Sequence, residues 1–283
     1  MIAITLPDGT VKEVTEGTTS LDVAISISEG LARNVLAAEV NGEVWDPQRP
    51  FTGDASLKLL TSRDEQGMST LWHSSAHLMA EALESIYPGI KFWVGPPVEN
   101  GFYYDVDFGE YKFTDADIPA VEKKMMELAK AKNPYIRKEM SKGDALSYFR
   151  DKGDEYKLDL LENLEDGTIT FYTQGDFTDL CRGPHVPSTS YLRWFRLTST
   201  SQAYWRADSK RESLVRIYGM CYASKDALKE RVRQIEEAGK RDHKKIGKEM
   251  ELFTFSKNVG QGLPLWLPKG AMIREKLENF LKE

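Results

Sequence analysis

Apolar residues alternate with small or polar ones at the start of the chain: Ile2, Ile4 and Leu6 flank Ala3 and Thr5, which predicts a strand. Pro7-Asp8-Gly9 reads as a turn, and Val11 to Val14 returns as a second strand. Thr19-Ser20-Leu21-Asp22 matches a capping box opening a short helix. Val40-Asn41-Gly42-Glu43-Val44 carries a hairpin signal, and Leu57 to Leu60 closes the pattern as a strand. Residues 1–61 therefore form one small unit, followed by a polar linker from Thr61 to Gly67. A second region, 62–224, opens with a helix carrying His73 and His77. Strand-like pieces follow in KFWVGPPV and FYYDVDF, and a helix from about Ile118 to Lys132 stops before Asn133-Pro134. TITFYTQ, WFRLTSTS and LVRIYGMCYA are further strand signals. Leu228, Val232, Ile235 and Ala238 then recur at helical spacing in a charged helix over 225–250. Beyond it a Gly/Pro-rich loop leads to a helix from about Gly270, with Ile273, Leu277, Phe280 and Leu281 apolar. The chain stops inside this helix, as a domain cut short would.

A length of 283 residues is consistent with about two domains, or three if one is small. A hydrophobic share of 41% supplies ordinary cores. A net charge of −6 excludes a bulk-basic nucleic-acid coat, and residues 1–61 hold nine acidic against four basic side chains. A nucleic-acid partner has to use a local patch, and the candidate is Lys240, Arg241, Lys244, Lys245 and Lys248, which outnumber Asp242 and Glu249. Without a phosphate backbone nearby, such a run is a solvated face. Two cysteines exclude a disulfide scaffold and fit a reducing cytosol. The N-terminus lacks a signal-peptide layout, and no apolar run is long enough for a bilayer.

Three of the four histidines and one of the two cysteines fall in two short motifs, HSSAHLMAEAL and DLCRGPHVPST. His73 and His77 share one helix face. Cys181 and His185 are also four apart, but Gly183-Pro184 rules out a regular helix, so that pair lies in a loop. Two histidines four apart, taken alone, more often cap or pack than bind. Adding a thiol and a third imidazole makes a soft tetrahedral zinc set, so the cluster is either a metal site or a hydrolytic site. Trp72 and Leu78 read as core, Cys221 as a small buried hydrophobe, and His243 as solvated.

HSSAHLMAEAL, GPPVENGFYYD, EYKLDLL, DLCRGPHVPST, KRDHKKIGKEMELF and GLPLWLPKGAMIREKLENFL, in this order, resemble the bacterial threonyl-tRNA synthetases along the whole chain. The resemblance implies an α+β chain: a ubiquitin-like β-grasp (TGS) domain at 1–61, a mixed α+β editing domain at 62–224, a linker helix at 225–250, and the beginning of a class II catalytic core at 251–283. The chain ends within what looks like motif 1, so the motif 2 and 3 arginines, the core zinc ligands and the anticodon-binding domain are absent. The full-length family ligates threonine to tRNA(Thr) with ATP, Mg and a core zinc, as a cytoplasmic homodimer. For this segment the resemblance implies no cofactor, no membrane, compatibility with a monomer, and one activity: hydrolysis of mischarged Ser-tRNA(Thr).

Editing has a physical basis. A threonine pocket rejects serine only by a missing methyl, worth about 1–3 kcal/mol. By resemblance, His73, His77, Cys181 and His185 line the editing site, joined by Lys157, Asp179, Tyr103 and Tyr104. Water attacks the seryl ester, positioned by His73 and by Lys157 or a ribose hydroxyl. Lys157 stabilises the oxyanion, Asp179 and the Arg182-Gly183-Pro184 turn orient the site, and Cys181 shapes it. On spacing alone Lys157 reads as an exposed lysine at a strand end, so its role rests on the resemblance. A related editing domain in alanyl-tRNA synthetases uses the same kind of ligand set for zinc, whereas the threonyl family generally edits without it. The competing readings are a zinc-dependent free-standing aminoacyl-tRNA deacylase and a non-catalytic tRNA-binding module.

Overall fold

The computed structural model describes residues 1–165, 167–260 and 262–282. Asp166, Gln261 and Glu283 lie outside the described residues, the last two within the segment expected to begin a class II core. The chain divides into two compact units, 1–228 and 229–283.

The first unit opens with β1 (Ile2–Thr5), β2 (Val11–Val14), α1 (Ser20–Ile27), α2 (Glu29–Ala32), β3 (Ala37–Val40), β4 (Glu43–Trp45) and β5 (Ala55–Leu60). The sheet order is β2-β1-β5-β3-β4, with β1 and β5 parallel and the other pairs antiparallel, which is the expected β-grasp. The capping box forms reciprocally: Asp22 N–H donates to Thr19 Oγ1 at 3.1 Å, and Thr19 N–H to Asp22 Oδ2 at 2.9 Å. Asn41 and Gly42 take φ of 51° and 85°, the left-handed pair that a two-residue hairpin needs. Ile4, Val23, Val40, Phe51 and Leu57 close a core of their own.

The expected linker is shorter than its polarity predicts. Asp64 Oδ2 accepts Thr61 N–H at 2.9 Å, and α3 (Glu65–Ile86) begins at once. Gly67 is already helical and packed: a Cβ there would lie 2.1 Å from the Thr61 carbonyl oxygen.

Then come β6 (Lys91–Phe92), β7 (Pro97–Val98), β8 (Gly101–Asp107), α4 (Ile118–Ala131), β9 (Ile136–Ser141), α5 (Lys142–Lys152), α6 (Glu155–Glu162), β10 (Thr168–Gln174), β11 (Phe177–Leu180), β12 (Trp194–Tyr204) and β13 (Ser213–Tyr222). One sheet runs β12-β13-β8-β6 with β7 on β8, and a smaller one runs β11-β10-β9. The buried side of α3, including Leu71, Leu78, Met79 and Leu83, packs with Phe102, Tyr104 and Ile217 of the larger sheet. Leu78 is fully buried, and half-buried Trp72 packs against this core and donates from Nε1 to the Cys221 carbonyl at 2.9 Å. Helices α5 and α6 have no counterpart in the hydropathy reading, because α5 buries only Ala145 and Phe149. Their signals are the caps: Ser141 accepts Asp144 N–H, and Gly153 ends α5 at φ 67°.

The charged helix is two helices, α7 (Lys225–Lys240) and α8 (His243–Glu249). Asp242 breaks it by capping α8, accepting from the N–H groups of Lys244 at 2.9 Å and Lys245 at 3.0 Å. The second unit also holds β14 (Phe253–Phe255), β15 (Pro264–Trp266) and α9 (Pro268–Lys282). Among the described residues, no helix is long and apolar enough to cross a membrane.

Candidate active site

His73 and His77 project from one face of α3. The loop after β11, where Gly183-Pro184 is a cis peptide, brings Cys181 and His185 to meet them. Cys181 Sγ lies 3.2 Å from His73 Nε2 and 3.3 Å from His185 Nε2. Ring centroids of His73 and His77 are each 4.4 Å from that of His185. Gly183 N–H donates to Cys181 Sγ at 3.2 Å.

Ser74, between the two α3 histidines, sets the His185 tautomer. Its hydroxyl donates to the Thr70 carbonyl at 2.8 Å and accepts Val186 N–H at 3.0 Å. With its one proton spent, it meets His185 Nδ1 at 3.0 Å as acceptor. His185 therefore carries its proton on Nδ1 and presents an unprotonated Nε2 to the thiol. Tyr135 stacks on the His185 ring at 4.7 Å and 5°, and its hydroxyl donates to the Ser74 carbonyl at 2.8 Å.

Lys157 lies on α6, buried, where the unaided sequence reading expects an exposed strand end. The reason is its partner: Nζ reaches Asp179 Oδ1 at 2.8 Å and donates to the Trp93 carbonyl at 3.0 Å. The Tyr104 hydroxyl donates to Asp179 Oδ2. Burial pushes Asp179 up, but the Lys157 charge beside it prevails, so the carboxyl sits below its usual range. Burial lowers His73 to about 4 and His77 to about 3, takes His185 well below its usual value, and pushes the Cys181 thiol up. At neutral pH the cluster is three neutral imidazoles and a thiol around one buried ion pair.

A cavity of about 520 Å³ opens onto this arrangement, with His73, His77, Trp93, Tyr104, Lys157 and Cys181 in its wall. Arg182, Gly183 and Pro184 form part of its lining, while Asp179 and His185 act from behind it. Tyr103 corrects the expected set. Successive strand residues face opposite ways, so with Tyr104 inward, Tyr103 points to the other face of β8. There the Arg216 guanidinium sits 4.0 Å over its ring. Lys240, Arg241, Lys244, Lys245 and Lys248 are exposed and divided between α7, the break and α8. Lys240 is paired with Glu237 at 2.8 Å.

The TGS domain family matches residues 2–61, and the family described as threonyl and alanyl tRNA synthetase second additional domain matches residues 169–218. The threonine-tRNA ligase of Cytophaga hutchinsonii is 62% identical over 283 residues, all of this chain and 44% of that protein. Those of Parabacteroides distasonis and Porphyromonas gingivalis are each 57% identical, again over all of this chain and under half of their own length. This chain belongs to the threonine-tRNA ligase family. It spans less than half the length of the relatives it matches. The second matched segment of this ligase family carries Asp179, Cys181 and His185, whereas His73, His77 and Lys157 come from elements before it.

Sequence reasoning missed Ser74, Trp93 and Tyr135, and also Tyr172, whose ring centroid lies 4.5 Å from that of His185, and Asp46, whose Oδ1 accepts His185 N–H at 2.7 Å. Ser74 lies inside the histidine motif and could have been found there. Trp93 contributes a backbone carbonyl and Asp46 approaches from another sheet, so neither has a local signal.

The donor set fits zinc. Zinc bonds of about 2.0–2.3 Å put tetrahedral edges at roughly 3.3–3.6 Å, close to the two sulfur–nitrogen separations, and all four candidate donor atoms lie within 4.8 Å of one another. His77 Nδ1 is buried without a hydrogen-bond partner. Four protein donors fill a tetrahedron, so such an ion leaves no position for an attacking water.

Proposed function

We propose that this chain carries an editing site that hydrolyses Ser-tRNA(Thr). The observation carrying this reading is a buried ammonium, Lys157, fixed by Asp179 at a cavity that two neutral imidazoles also enter. The terminal adenosine and its seryl ester occupy the cavity. A water, oriented by His73 and by Lys157 or a ribose hydroxyl, adds its oxygen to the ester carbonyl carbon. His73, lowered to about 4, is a poor base and orients rather than deprotonates. Lys157 stabilises the developing oxyanion, the carbon–oxygen bond to the ribose breaks, and the ribose oxygen takes the proton. Cys181 and His77 shape the wall, Tyr104 and Asp179 fix Lys157, and Arg182, Gly183 and Pro184 orient the substrate. The reading requires that the site accept the seryl group and turn away the extra methyl of threonine.

In the whole protein this site serves an ATP- and Mg-dependent ligase with a core zinc, which joins threonine to tRNA(Thr) as a cytoplasmic homodimer. The chain divides as 1–61, 62–224, 225–250 and 251–283, and the Lys240 to Lys248 patch contacts tRNA. The test is hydrolysis of Ser-tRNA(Thr) beside Thr-tRNA(Thr), with and without chelator. Serine-selective, chelator-insensitive release supports the reading, and equal rates on both esters refute it. The close approach of four donors favours one second reading, a zinc-dependent deacylase, for which chelator abolishes release. His73, His77, Cys181 and His185 would hold that ion, and only release of one of these four donors would open a position from which it could polarise a carbonyl.

A further inference from the structure

We infer that Asp46, in the loop after β4, is a positioning residue for the hydrolytic site, so the β-grasp region completes that site; this rests on the editing reading above. Asp46 is far from the histidine and cysteine motifs in sequence and does not line the cavity. Its two carboxylate oxygens are both committed to the cavity's back wall. Oδ1 accepts His185 N–H at 2.7 Å, and Oδ2 accepts the Tyr172 hydroxyl proton at 2.7 Å.

The second bond matters because of where Tyr172 lies. Gly183 has φ +71°, and a Cβ built on it would fall 2.2 Å from Tyr172 Oη. The tyrosine hydroxyl therefore rests directly against the Gly183-Pro184 turn. The Tyr172 ring also meets the His185 ring, with centroids 4.5 Å apart. One carboxylate thus holds the 181–185 loop at two points, at His185 through its backbone and at Gly183 through Tyr172. Between these points hangs Cys181, whose sulfur accepts Gly183 N–H and touches His73 and His185.

The opposite side of His185 is held by Ser74 and Tyr135 of the larger domain. Without Asp46 the imidazole keeps those contacts, but the loop loses both anchors to the β-grasp side. A second tie, the Tyr191 hydroxyl donating to the Ala32 carbonyl at 3.1 Å, keeps the two regions together when Asp46 is changed. The expected defect is accordingly a displaced loop in a folded chain.

The experiment compares wild type, Asp46→Ala and Asp46→Asn in the full chain. It reads kcat and KM for Ser-tRNA(Thr) hydrolysis, and iodoacetamide alkylation rates of Cys181 and Cys221 by peptide mass mapping. In Asp46→Ala, kcat falls at least tenfold, KM stays within threefold, Cys181 is alkylated at least fivefold faster, and buried Cys221 is unchanged. Asp46→Asn stays within threefold of wild type in both assays, because its amide oxygen accepts His185 N–H and its NH₂ can donate to the Tyr172 oxygen. Wild-type kcat and Cys181 reactivity in Asp46→Ala overturn the inference. So does equal acceleration at Cys221, which signals general loosening. If wild type hydrolyses no Ser-tRNA(Thr) while Asp46→Ala still exposes Cys181 selectively, the editing reading fails and the loop anchor stands.

Discussion

Removing the Lys157 charge tests the ion pair that carries the functional reading. The pair exposes only 3% and 4% of its side chains, so solvent screening gives little relief. Lys157→Met leaves the Asp179 carboxylate buried with the Tyr104 hydroxyl and the Leu180 N–H as its hydrogen-bond donors. Breaking a buried pair from one side costs about 3–5 kcal/mol, which at an m-value of about 3 kcal/mol/M moves a urea midpoint by at least about 1 M. Replacing both partners with apolar groups, Lys157→Met with Asp179→Leu, removes the stranded charge and brings stability back to within about 2 kcal/mol of wild type.

The pH dependence carries a sign. In wild type the Asp179 carboxyl is below its usual range, so it contributes stability above the unfolded-state pKa that is lost as pH falls through the folded value. Without Lys157, burial dominates and raises that carboxyl, so the folded variant binds a proton that the unfolded chain releases. Its stability deficit against wild type then widens as pH rises above about 4, the unfolded carboxylate value. Urea titrations at pH 5 and pH 8 measure this, and Ser-tRNA(Thr) hydrolysis is followed beside them. An unchanged midpoint in Lys157→Met refutes the burial argument. A double variant that is stable and hydrolyses at the wild-type rate refutes the catalytic role of Lys157.

Three further outcomes are expected. Because burial lowers His73 to about 4 and His77 to about 3, the unfolded chain binds protons that the folded chain refuses, so stability falls as pH drops from about 6.5 toward 4, by ~3 kcal/mol for His73 alone at about 1.4 kcal/mol per unit; a flat urea midpoint between pH 7 and pH 5 contradicts this. Cys181→Ala keeps Ser-tRNA(Thr) hydrolysis within about tenfold, below the roughly 10²–10⁴-fold that a positioned acid–base group contributes, and mass spectrometry finds no acyl-thioester in wild type; a trapped adduct lost in the variant establishes a nucleophile instead. Lys244→Glu with Lys245→Glu lowers the salt slope of tRNA binding by about 1–2, and an unchanged slope removes α8 from the RNA contact.

What was legible in the sequence follows from how far each signal reaches along the chain. The capping box at Thr19, the Asn41-Gly42 turn and the paired histidines of α3 are decided by neighbours within four residues, and each sits where local pattern puts it. The resemblance put Tyr103 and Tyr104 in the site together, whereas strand alternation sends them to opposite faces, and burial of Tyr104 against Asp179 decides which of the two faces the cavity. Helices α5 and α6 escaped because a helix that buries two apolar side chains has almost no periodic signature, although Ser141 and Gly153 mark the ends of α5. Spacing alone misread Lys157, which only the resemblance put in the site, for a related reason: a lysine belongs in water unless a carboxylate meets it, and its carboxylate arrives 22 positions later, on another element. Asp46 is the extreme case, 139 positions from the His185 N–H it accepts. Its own surroundings, a hairpin strand and a Pro-rich turn, describe a surface loop. The clustered histidines and Cys181 stood out because imidazole and thiol are rare in this chain, whereas Lys157 and Asp46 are common residue types whose place beside that cluster is created by the fold.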